Sequence, residues 1–255
     1  MCSIISFVEA VQKPILLMKL IIIRHGDPDY SIDSLTEKGW REAELLSDRI
    51  SKIDVTAFYC SPLGRAKDTA SFTLKKMNRK AKTLSWLQEF RGKVKIDGEK
   101  KGAWDRLPQE WTDNDDFYCP ERWLETDIMQ SGNVKKMYKQ VCNGVDKLLA
   151  QHGYVHEGRH FKVENSNHDT IVLFCHFGVE CVILSHIFGC SPMVLWHNFV
   201  ALPTSVTTLI TEERQKGIAT FRTQQFGDIS HLYVADEEPA FAARFCECFE
   251  DDTRH

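Results

Sequence analysis

The sequence predicts an α/β protein: a three-layer α/β/α sandwich with a mostly parallel central sheet and an inserted lid-like segment. Two uninterrupted apolar runs, at residues 20–23 and 170–175, are typical of strands buried on both faces. Segments with helical spacing alternate with the predicted strands, and the chain has no internal repeat or low-complexity segment. Such alternation is typical of a largely parallel sheet covered by helices on both sides.

The composition is that of an ordinary folded protein. The 255 residues are 43% hydrophobic and 27% charged, and 32 basic against 36 acidic residues give a net charge of −4. Without a basic excess, neither nucleic acid nor an anionic membrane surface is expected as a partner. No apolar run approaches the ~20 residues that a membrane span needs. Nine cysteines, an odd number, indicate reduced thiols and a cytoplasmic location.

Three regions are expected along the chain. Residues 1–17 lack the basic start and the small-residue cleavage site of a secretory signal, so they are predicted to be a dispensable extension. Residues 18–235 should form one folded domain with an insertion at about 93–133. Residues 236–255 are predicted to be an acidic tail. The sequence does not indicate an oligomeric state.

The first buried strand ends in residues that suit a functional site. Arg24, His25 and Gly26 follow it directly, and open α/β sheets build their sites at the carboxyl ends of strands. Gly26 allows a sharp turn and the close approach of a ligand to the backbone. On this stretch alone, an ordinary polar loop is an equally good interpretation.

The next elements bring an arginine toward the same edge of the sheet. Thr36 suits the N-cap of a helix, and a strand is predicted over residues 55–60. Ser61 and Pro62 suit the N-cap and first position of the following helix. Arg65 then lies in the first turn, where its guanidinium and the helix N-terminus can bind an anion together. A surface arginine with no such role is the alternative.

The insertion at residues 93–133 follows a short segment that ends in Glu89. Its aromatic content favours an ordered lid over the site, and a structural excursion packed on its own aromatic side chains is the alternative. If it is a lid, its tryptophans should bound the leaving-group pocket; they are Trp104, Trp111 and Trp123. Ten acidic against six basic residues disfavour substrates with a second phosphate.

Residues 153–169 are polar and contain glycine, and they are predicted to form a loop after a helix over 134–150. His156 and His160 in this loop are four residues apart, as zinc ligands on a helix would be. Gly158 lies between them and no carboxylate–histidine pattern is near, which argues against a zinc site. No metal or cofactor is therefore predicted.

The second buried strand ends at His176, before a helix predicted over residues 177–188 and closed by Gly189. Two histidines thus follow two buried strands, beside Arg24 and Arg65. Such a pocket suits a phosphoryl group, because cations and helix N–H groups neutralise its oxygens and an imidazole can attack its phosphorus.

Six segments resemble the histidine phosphatase superfamily, the phosphoglycerate-mutase-like proteins, and occur in the family's order. They are residues 20–26 (LIIIRHG), 60–70 (CSPLGRAKDTA), 87–89 (LQE), 174–178 (FCHFG), 204–206 (TSV) and 228–232 (DISHL). The resemblance covers about residues 18–232 and implies that the folded domain is a catalytic domain of this family.

The resemblance also implies a role for each candidate residue. His25 would be the nucleophile that becomes phosphohistidine. Arg24, Arg65 and His176 would bind the phosphoryl group and stabilise its transfer. Glu89 would protonate the leaving oxygen. No metal or cofactor is implied, because side chains supply the positive charge.

Other positions depart from the family pattern or would make only a secondary contact with the phosphoryl group. The N–H of Phe177 would add a donor for the phosphoryl group. Ser31 stands where the family often has an asparagine that contacts phosphate. The tripeptide Phe90-Arg91-Gly92 matches neither the phosphatase nor the mutase continuation after the glutamate. The subfamily is therefore left open.

Three functions are compatible with the resemblance. A phosphatase acting on a small phosphomonoester is favoured. A phosphoglycerate-type mutase is the alternative, although the acidic insertion offers no evident basic cluster for a second acidic group. A catalytically idle binding protein on the same fold is a third possibility from a different class.

Overall fold

The computed structural model describes residues 17–240 and 249–250. Almost all of the predicted N-terminal extension, and much of the predicted tail, lie outside these residues. The strands are β1 (Lys19–Arg24), β2 (Pro28–Asp29), β3 (Ser34–Leu35), β4 (Ala57–Cys60), β5 (Ala81–Thr83), β6 (Lys93–Ile96), β7 (Glu99–Gly102), β8 (Tyr154–Glu157), β9 (His160–Val163), β10 (Thr170–Cys175), β11 (Val206–Gln215) and β12 (Ile218–Asp228).

Helices connect most of these strands. The α-helices are α1 (Glu37–Ile50), α2 (Gly64–Lys76), α3 (Asp127–Gln130), α4 (Val134–Gln151), α5 (Phe177–Phe188), α6 (Pro192–Asn198) and α7 (Ser230–Val234). Short 3-10 turns lie at Ser85–Leu87, Pro108–Glu110, Asp115–Tyr118 and Trp123–Glu125. Within the described residues, no helix is both long and apolar enough to cross a membrane.

One sheet of eight strands organises the fold, in the order β5-β4-β10-β1-β11-β12-β9-β8. The four strands β5, β4, β10 and β1 run parallel, while β11, β12, β9 and β8 continue the sheet in antiparallel fashion. The predicted α/β class with a parallel core is confirmed. The sheet as a whole is mixed, because the hairpins β11–β12 and β8–β9 extend it on one side.

Strand β1 lies at the centre, and both of its faces are covered. Ile21 and Ile23 lie in one apolar cluster with side chains of α1 and α2, while Leu20 and Ile22 lie in another with side chains of α4 and α5. Each of these four side chains is at most 2% exposed. Full burial of such a side chain contributes about 1.5–3 kcal/mol, which explains the uninterrupted apolar run.

Two predicted helix ends are confirmed by local chemistry. Thr36 Oγ1 accepts the N–H of Gly39 at 3.1 Å, which satisfies a free donor at the start of α1. Gly189 ends α5 with φ 64°, a left-handed conformation that glycine adopts without steric cost. These ends fix α1 and α5, the helices that follow the loops carrying His25 and His176.

The predicted loop at residues 153–169 is wrong in its first half, where the chain forms the hairpin β8–β9. Tyr154 and Phe161 are each 1% exposed and anchor the two strands in the core. Gly158 has φ 65°, which permits the tight turn between them. The sequence signal failed because only two large apolar side chains hold this short, otherwise polar hairpin.

The insertion is ordered and begins with the hairpin β6–β7. Trp123 is fully buried, and its ring contacts those of Trp196 in α6 and Tyr138 in α4 edge-on, at 5.9 and 5.0 Å. Trp111 is 6% exposed and stacks on His197 at 4.8 Å. Trp123 is therefore a core residue between two helices, and a role of the tryptophans as walls of the leaving-group pocket stays a prediction.

Candidate active site

The two predicted histidines meet at the carboxyl edge of the parallel strands. β1 and β10 are neighbours with Arg24 paired to Cys175, so His25 and His176 come directly after paired positions. The N–H of His25 donates to the carbonyl of Cys175 at 3.0 Å. The two imidazole centroids lie 5.1 Å apart, tilted by 59°, and both side chains are buried.

The protonation state of His25 follows from its surroundings. Its Nδ1 lies 2.7 Å from the carbonyl oxygen of Gly26. A carbonyl only accepts, so Nδ1 carries the proton and Nε2 keeps its lone pair. Burial lowers the pKa of His25 well below its usual value, and the charges of Arg24 and Arg65 lower it further. The ring is therefore neutral, with a free lone pair, at physiological pH.

Gly26 is required by crowding at this turn. A Cβ at Gly26 would lie 2.8 Å from the carbonyl oxygen of Gly39, closer than side-chain carbons approach backbone. The N–H of Gly26 also donates to Thr69 Oγ1 at 2.9 Å. The loop after β1 is thereby held against both α1 and α2.

The two predicted arginines are fixed by different partners. Arg24 donates from Nη1 to the carbonyl of Ala201 and is 2% exposed. Arg65, the second residue of α2, donates from Nη1 to Asp33 Oδ1 at 2.6 Å. The ring of Tyr30 lies 5.4 Å from the Arg65 guanidinium carbon. The Nε atoms of both arginines are buried and lack a partner among the described residues, which leaves donors for an anion.

His176 stands directly before α5. Its Nε2 lies 2.8 Å from Ser61 Oγ. Burial lowers the pKa of His176 well below its usual value, and the neighbouring His25 and the charge of Arg65 lower it further. The predicted N-cap role of Ser61 is wrong: α2 begins at Gly64, and Ser61 faces His176 instead. Sequence reasoning missed this contact because 115 residues separate the two partners.

Glu89 reaches the same helix N-terminus. Its Oε1 accepts the N–H of Phe90 at 2.7 Å and the N–H of Val179 in α5 at 3.2 Å. A Cβ at Gly178 would lie 2.6 Å from this oxygen, so glycine there makes room for the carboxyl. Burial raises the pKa of Glu89. The hydrogen bond from the Phe90 N–H and the charge of Arg24 lower it, but the effect of burial is larger. A raised pKa suits a carboxyl group that donates a proton.

Glu180 is a buried acid that sequence reasoning missed. It is 1% exposed in the first turn of α5. Burial raises its pKa to about 7, although a hydrogen bond with Thr207 and the charge of Arg24 act in the opposite direction. A usable signal existed, since Glu180 is the single acidic residue in the apolar helix over 177–188.

The two C-terminal blocks of the family pattern meet beneath the nucleophile. The N–H of Thr204 donates to the carbonyl of His25 at 3.1 Å, and Thr204 Oγ1 lies 3.1 Å from Nε2 of His231. Thr204 has φ 57°, which is strained for a β-branched residue. Sequence reasoning gave neither residue a role, because the contacts join segments that are far apart in the chain.

The remaining predicted site residues lie differently. Ser31 is exposed, and its N–H and Oγ donate to Asp29 Oδ1 at 2.9 and 2.5 Å. These bonds turn it toward its own loop. Phe177 is the first residue of α5, and its side chain is buried. The structure thus brings Arg24, His25, Arg65, Glu89 and His176 together, whereas the hydrogen bonds of Ser31 stay within its own loop.

Comparisons with known proteins give the family. The family model described as histidine phosphatase superfamily (branch 1) matches residues 20–224. Over 90 residues the chain is 37% identical to the 2,3-bisphosphoglycerate-dependent phosphoglycerate mutase of Thermoplasma acidophilum. That match covers 31% of this chain and 44% of the mutase, so the chain spans less than half the length of this curated relative.

Solved structures share the fold at low sequence identity. The mycobacterial glucosyl-3-phosphoglycerate phosphatase is 16% identical with a TM-score of 0.56, over 83% of this chain and 99% of that one. The phosphoserine phosphatase of Entamoeba histolytica, in complex with 3-phosphoglyceric acid, is 19% identical with a TM-score of 0.55, over 84% and 99%. These structures share the fold, and the family match over most of its length establishes that the chain belongs to the histidine phosphatase superfamily, branch 1.

Proposed function

We propose that the protein is a phosphatase that hydrolyses a small phosphomonoester through a phosphohistidine on His25. The observation that carries the proposal is the hydrogen bond from His25 Nδ1 to the Gly26 carbonyl at 2.7 Å. It orients the ring and leaves Nε2 as the nucleophilic nitrogen. Burial and two nearby guanidiniums keep that nitrogen unprotonated, because they lower the pKa of His25.

The reaction then has two steps. His25 Nε2 attacks phosphorus, a P–N bond forms, and the ester P–O bond breaks while Glu89 gives its proton to the leaving oxygen. In the second step Glu89, now ionised, takes a proton from water as the water oxygen bonds to phosphorus and the P–N bond breaks. Inorganic phosphate leaves, and His25 and Glu89 return to their first states.

Side-chain charge supports the transfer without a metal. Arg24 and Arg65 are both buried, so their charges act on a phosphoryl group through a medium of low dielectric. His176 lies beside His25 and adds an imidazole at the same group. We therefore include metal and cofactor independence in the proposal.

The substrate is proposed to be a small phosphorylated metabolite. The structural relatives carry names or ligands of this kind, such as phosphoserine and 3-phosphoglyceric acid. Neither nucleic acid nor a membrane is proposed as a partner. A cytoplasmic location is part of the proposal, and the six cysteines among the described residues are free thiols, as a reducing compartment requires.

A second candidate is a phosphoglycerate-type mutase. Arg91 is exposed two residues after Glu89, and its charge contributes to the low pKa of His176. A cation at that place could hold the carboxylate of a phosphoglycerate. The curated mutase relative favours the same substrate class. The insertion as a whole carries ten acidic and six basic residues, and this acidic excess disfavours a second acidic group, so hydrolysis remains the preferred proposal.

The test is to trap the phosphoenzyme. Purified protein is mixed with radiolabelled phosphate ester, denatured during turnover, and mapped by mass spectrometry. Acid-labile phosphate is expected on His25, and His25→Ala should hydrolyse p-nitrophenyl phosphate at least about 1,000-fold more slowly. Label on another residue would overturn the mechanism. Faster exchange between 2- and 3-phosphoglycerate than hydrolysis would select the mutase, and no turnover of any phosphate would select a binding protein.

A further inference from the structure

Three potential metal ligands converge at the end of α5 opposite to the active site. Asp146 comes from α4, His156 from β8 and His186 from the last turn of α5. Among the described residues, this is the group of histidine, cysteine and carboxylate side chains that could hold a metal ion. His186 lies ten residues after His176, which is roughly 15 Å along a helix, so the cluster is separate from the catalytic residues.

The donor atoms are already close to one another. Asp146 Oδ1 lies 2.9 Å from His156 Nδ1 and 2.7 Å from His186 Nε2, and the two nitrogens are 3.1 Å apart. Around a tetrahedral zinc ion with bonds of about 2.0–2.2 Å, ligand atoms lie about 3.3–3.5 Å apart. The three pairs therefore need to open by about 0.2 to 0.8 Å to admit the ion, the most for Asp146 and His186.

The arrangement is poorly explained as a set of ordinary hydrogen bonds. Two ring nitrogens face the same carboxylate oxygen and also face each other. If both rings donate to the oxygen, two N–H groups are forced together. If one ring donates to the other, the acceptor ring has no proton left for the oxygen. A cation at the centre satisfies all three donor atoms at once.

The surroundings also favour a cation. The side chains of His156 and His186 are 15% and 17% exposed and that of Asp146 is 37% exposed, which leaves an opening for a water as fourth ligand. The ring of His156 stacks on Phe161 at 4.6 Å and 13°, which fixes its orientation. His186 lies in the last turn of α5, where the helix dipole is negative.

We propose that Asp146, His156 and His186 form a Zn²⁺ site with three protein ligands and a water, which links the β8–β9 hairpin to α4 and α5. Two imidazoles and one carboxylate form a donor set that suits this ion. The hairpin is the outer edge of the sheet, and only Ile218 and Ala219 of β12 pair with it. A metal bridge would add a link where the backbone pairing is shortest.

This site is not indicated by the sequence, where Gly158 and the lack of a carboxylate–histidine pattern near His156 argue against zinc. The histidine four residues after His156 is His160, and it lies on β9 near Glu157, outside the cluster. The actual partners lie 10 and 30 residues away from His156. Only folding brings these three side chains together.

The test uses metal-free full-length protein, titrated with Zn²⁺ by calorimetry and followed by thermal unfolding. One ion per chain is expected, and Zn²⁺ at 100 times its Kd should raise the Tm by about 5–10 °C. His186→Gln and Asp146→Asn, which preserve volume, should each weaken binding by at least about 100-fold. Turnover of p-nitrophenyl phosphate by each variant at 25 °C verifies that it is folded.

Two controls separate this site from others. His160→Ala removes the neighbouring histidine of the same hairpin and should bind Zn²⁺ as the wild type does. His25→Ala, which disrupts the catalytic histidine pair, should also bind it unchanged. Absence of one-to-one binding in the wild type, or equal binding in His186→Gln and Asp146→Asn, would overturn the proposal. So would loss of binding in His25→Ala alone, which would place the ion in the active site.

Discussion

Arg65 and Asp33 form a 2.6 Å ion pair that sets the position of a catalytic-site guanidinium before any ligand arrives. Asp33 Oδ2 also accepts the N–H of Gly64 at 2.7 Å, so one carboxylate holds both the side chain and the helix start. These two contacts outweigh partial burial and lower the pKa of Asp33. A Cβ at Gly64 would lie 2.0 Å from the Asp33 carbonyl oxygen, so glycine is required for this approach.

The first prediction concerns this positioning carboxylate. Asp33→Ala frees Arg65 to move, and we expect the KM for p-nitrophenyl phosphate to rise about tenfold or more, because small misplacement of a charged group is costly. Asp33→Asn keeps one acceptor oxygen and should have a smaller effect. Asp29→Ala, in the neighbouring strand β2 and bonded to Ser31, is the matched control. Equal kinetics for Asp33→Ala and the wild type would mean that the pair has no positioning role.

The second prediction concerns the pH dependence of hydrolysis. The reaction needs His25 neutral and Glu89 protonated. The pKa of His25 is lowered well below 6.5, so protonation of the nucleophile should reduce kcat/KM only at distinctly acidic pH. The pKa of Glu89 is raised above 4.5, so loss of its proton should reduce the rate as pH rises through that raised value. The profile should therefore be bell-shaped, with an acidic limb set by His25 and a basic limb set by Glu89.

The variant Glu89→Gln isolates the basic limb of this profile. Glutamine cannot donate a proton, so kcat for substrates with poor leaving groups should fall about 100- to 10,000-fold. The limb that belongs to Glu89 should disappear, and any slope that remains reports the second ionisation of the substrate phosphate, whose pKa is about 6. A profile of unchanged shape in Glu89→Gln would show that another group is the acid.

The sequence predicted the parts of the site that are set by strand ends. His25 and His176 follow buried apolar strands, and such strands are parallel neighbours in an α/β sheet, so their meeting could be foreseen. The contacts that orient the site residues could not be foreseen from the sequence. Ser61 has a local pattern that suits an N-cap, yet it faces His176, and Asp33 meets Arg65 only once its loop has folded over α2. Local patterns do not encode such long-range partners.

The third prediction concerns stability and pH. Burial raises the pKa of Glu180 from 4.5 to about 7, so between these values the folded state binds more protons than the unfolded chain. The free energy of unfolding should therefore fall as pH rises from 4.5 to 7, by about 3 kcal/mol from this group. Glu180→Gln should remove that slope in urea titrations, whereas Glu99→Gln, at an exposed position in β7, should keep it. An unchanged slope in Glu180→Gln would contradict the assignment.

The fourth prediction separates chemistry from metal binding. Positive charge at the phosphoryl group comes from Arg24 and Arg65, so turnover at 25 °C should survive exhaustive treatment with a strong chelator. The same treatment should lower the Tm if Asp146 and its two histidine partners hold zinc. Loss of turnover that a single divalent ion restores at constant Tm would contradict the charge argument.

The last prediction concerns the insertion. Trp123 is fully buried against Trp196 and Tyr138, so Trp123→Ala should lower the free energy of unfolding by about 3–5 kcal/mol, as removal of a large core side chain does. Trp40→Ala is the control, because Trp40 is 36% exposed on α1. Since Trp123 does not reach solvent, the ratio of kcat/KM values for two different monophosphates should stay within about twofold of the wild type. A large change in that ratio at unchanged stability would mean that Trp123 contacts the leaving group after all, and that the insertion opens during turnover.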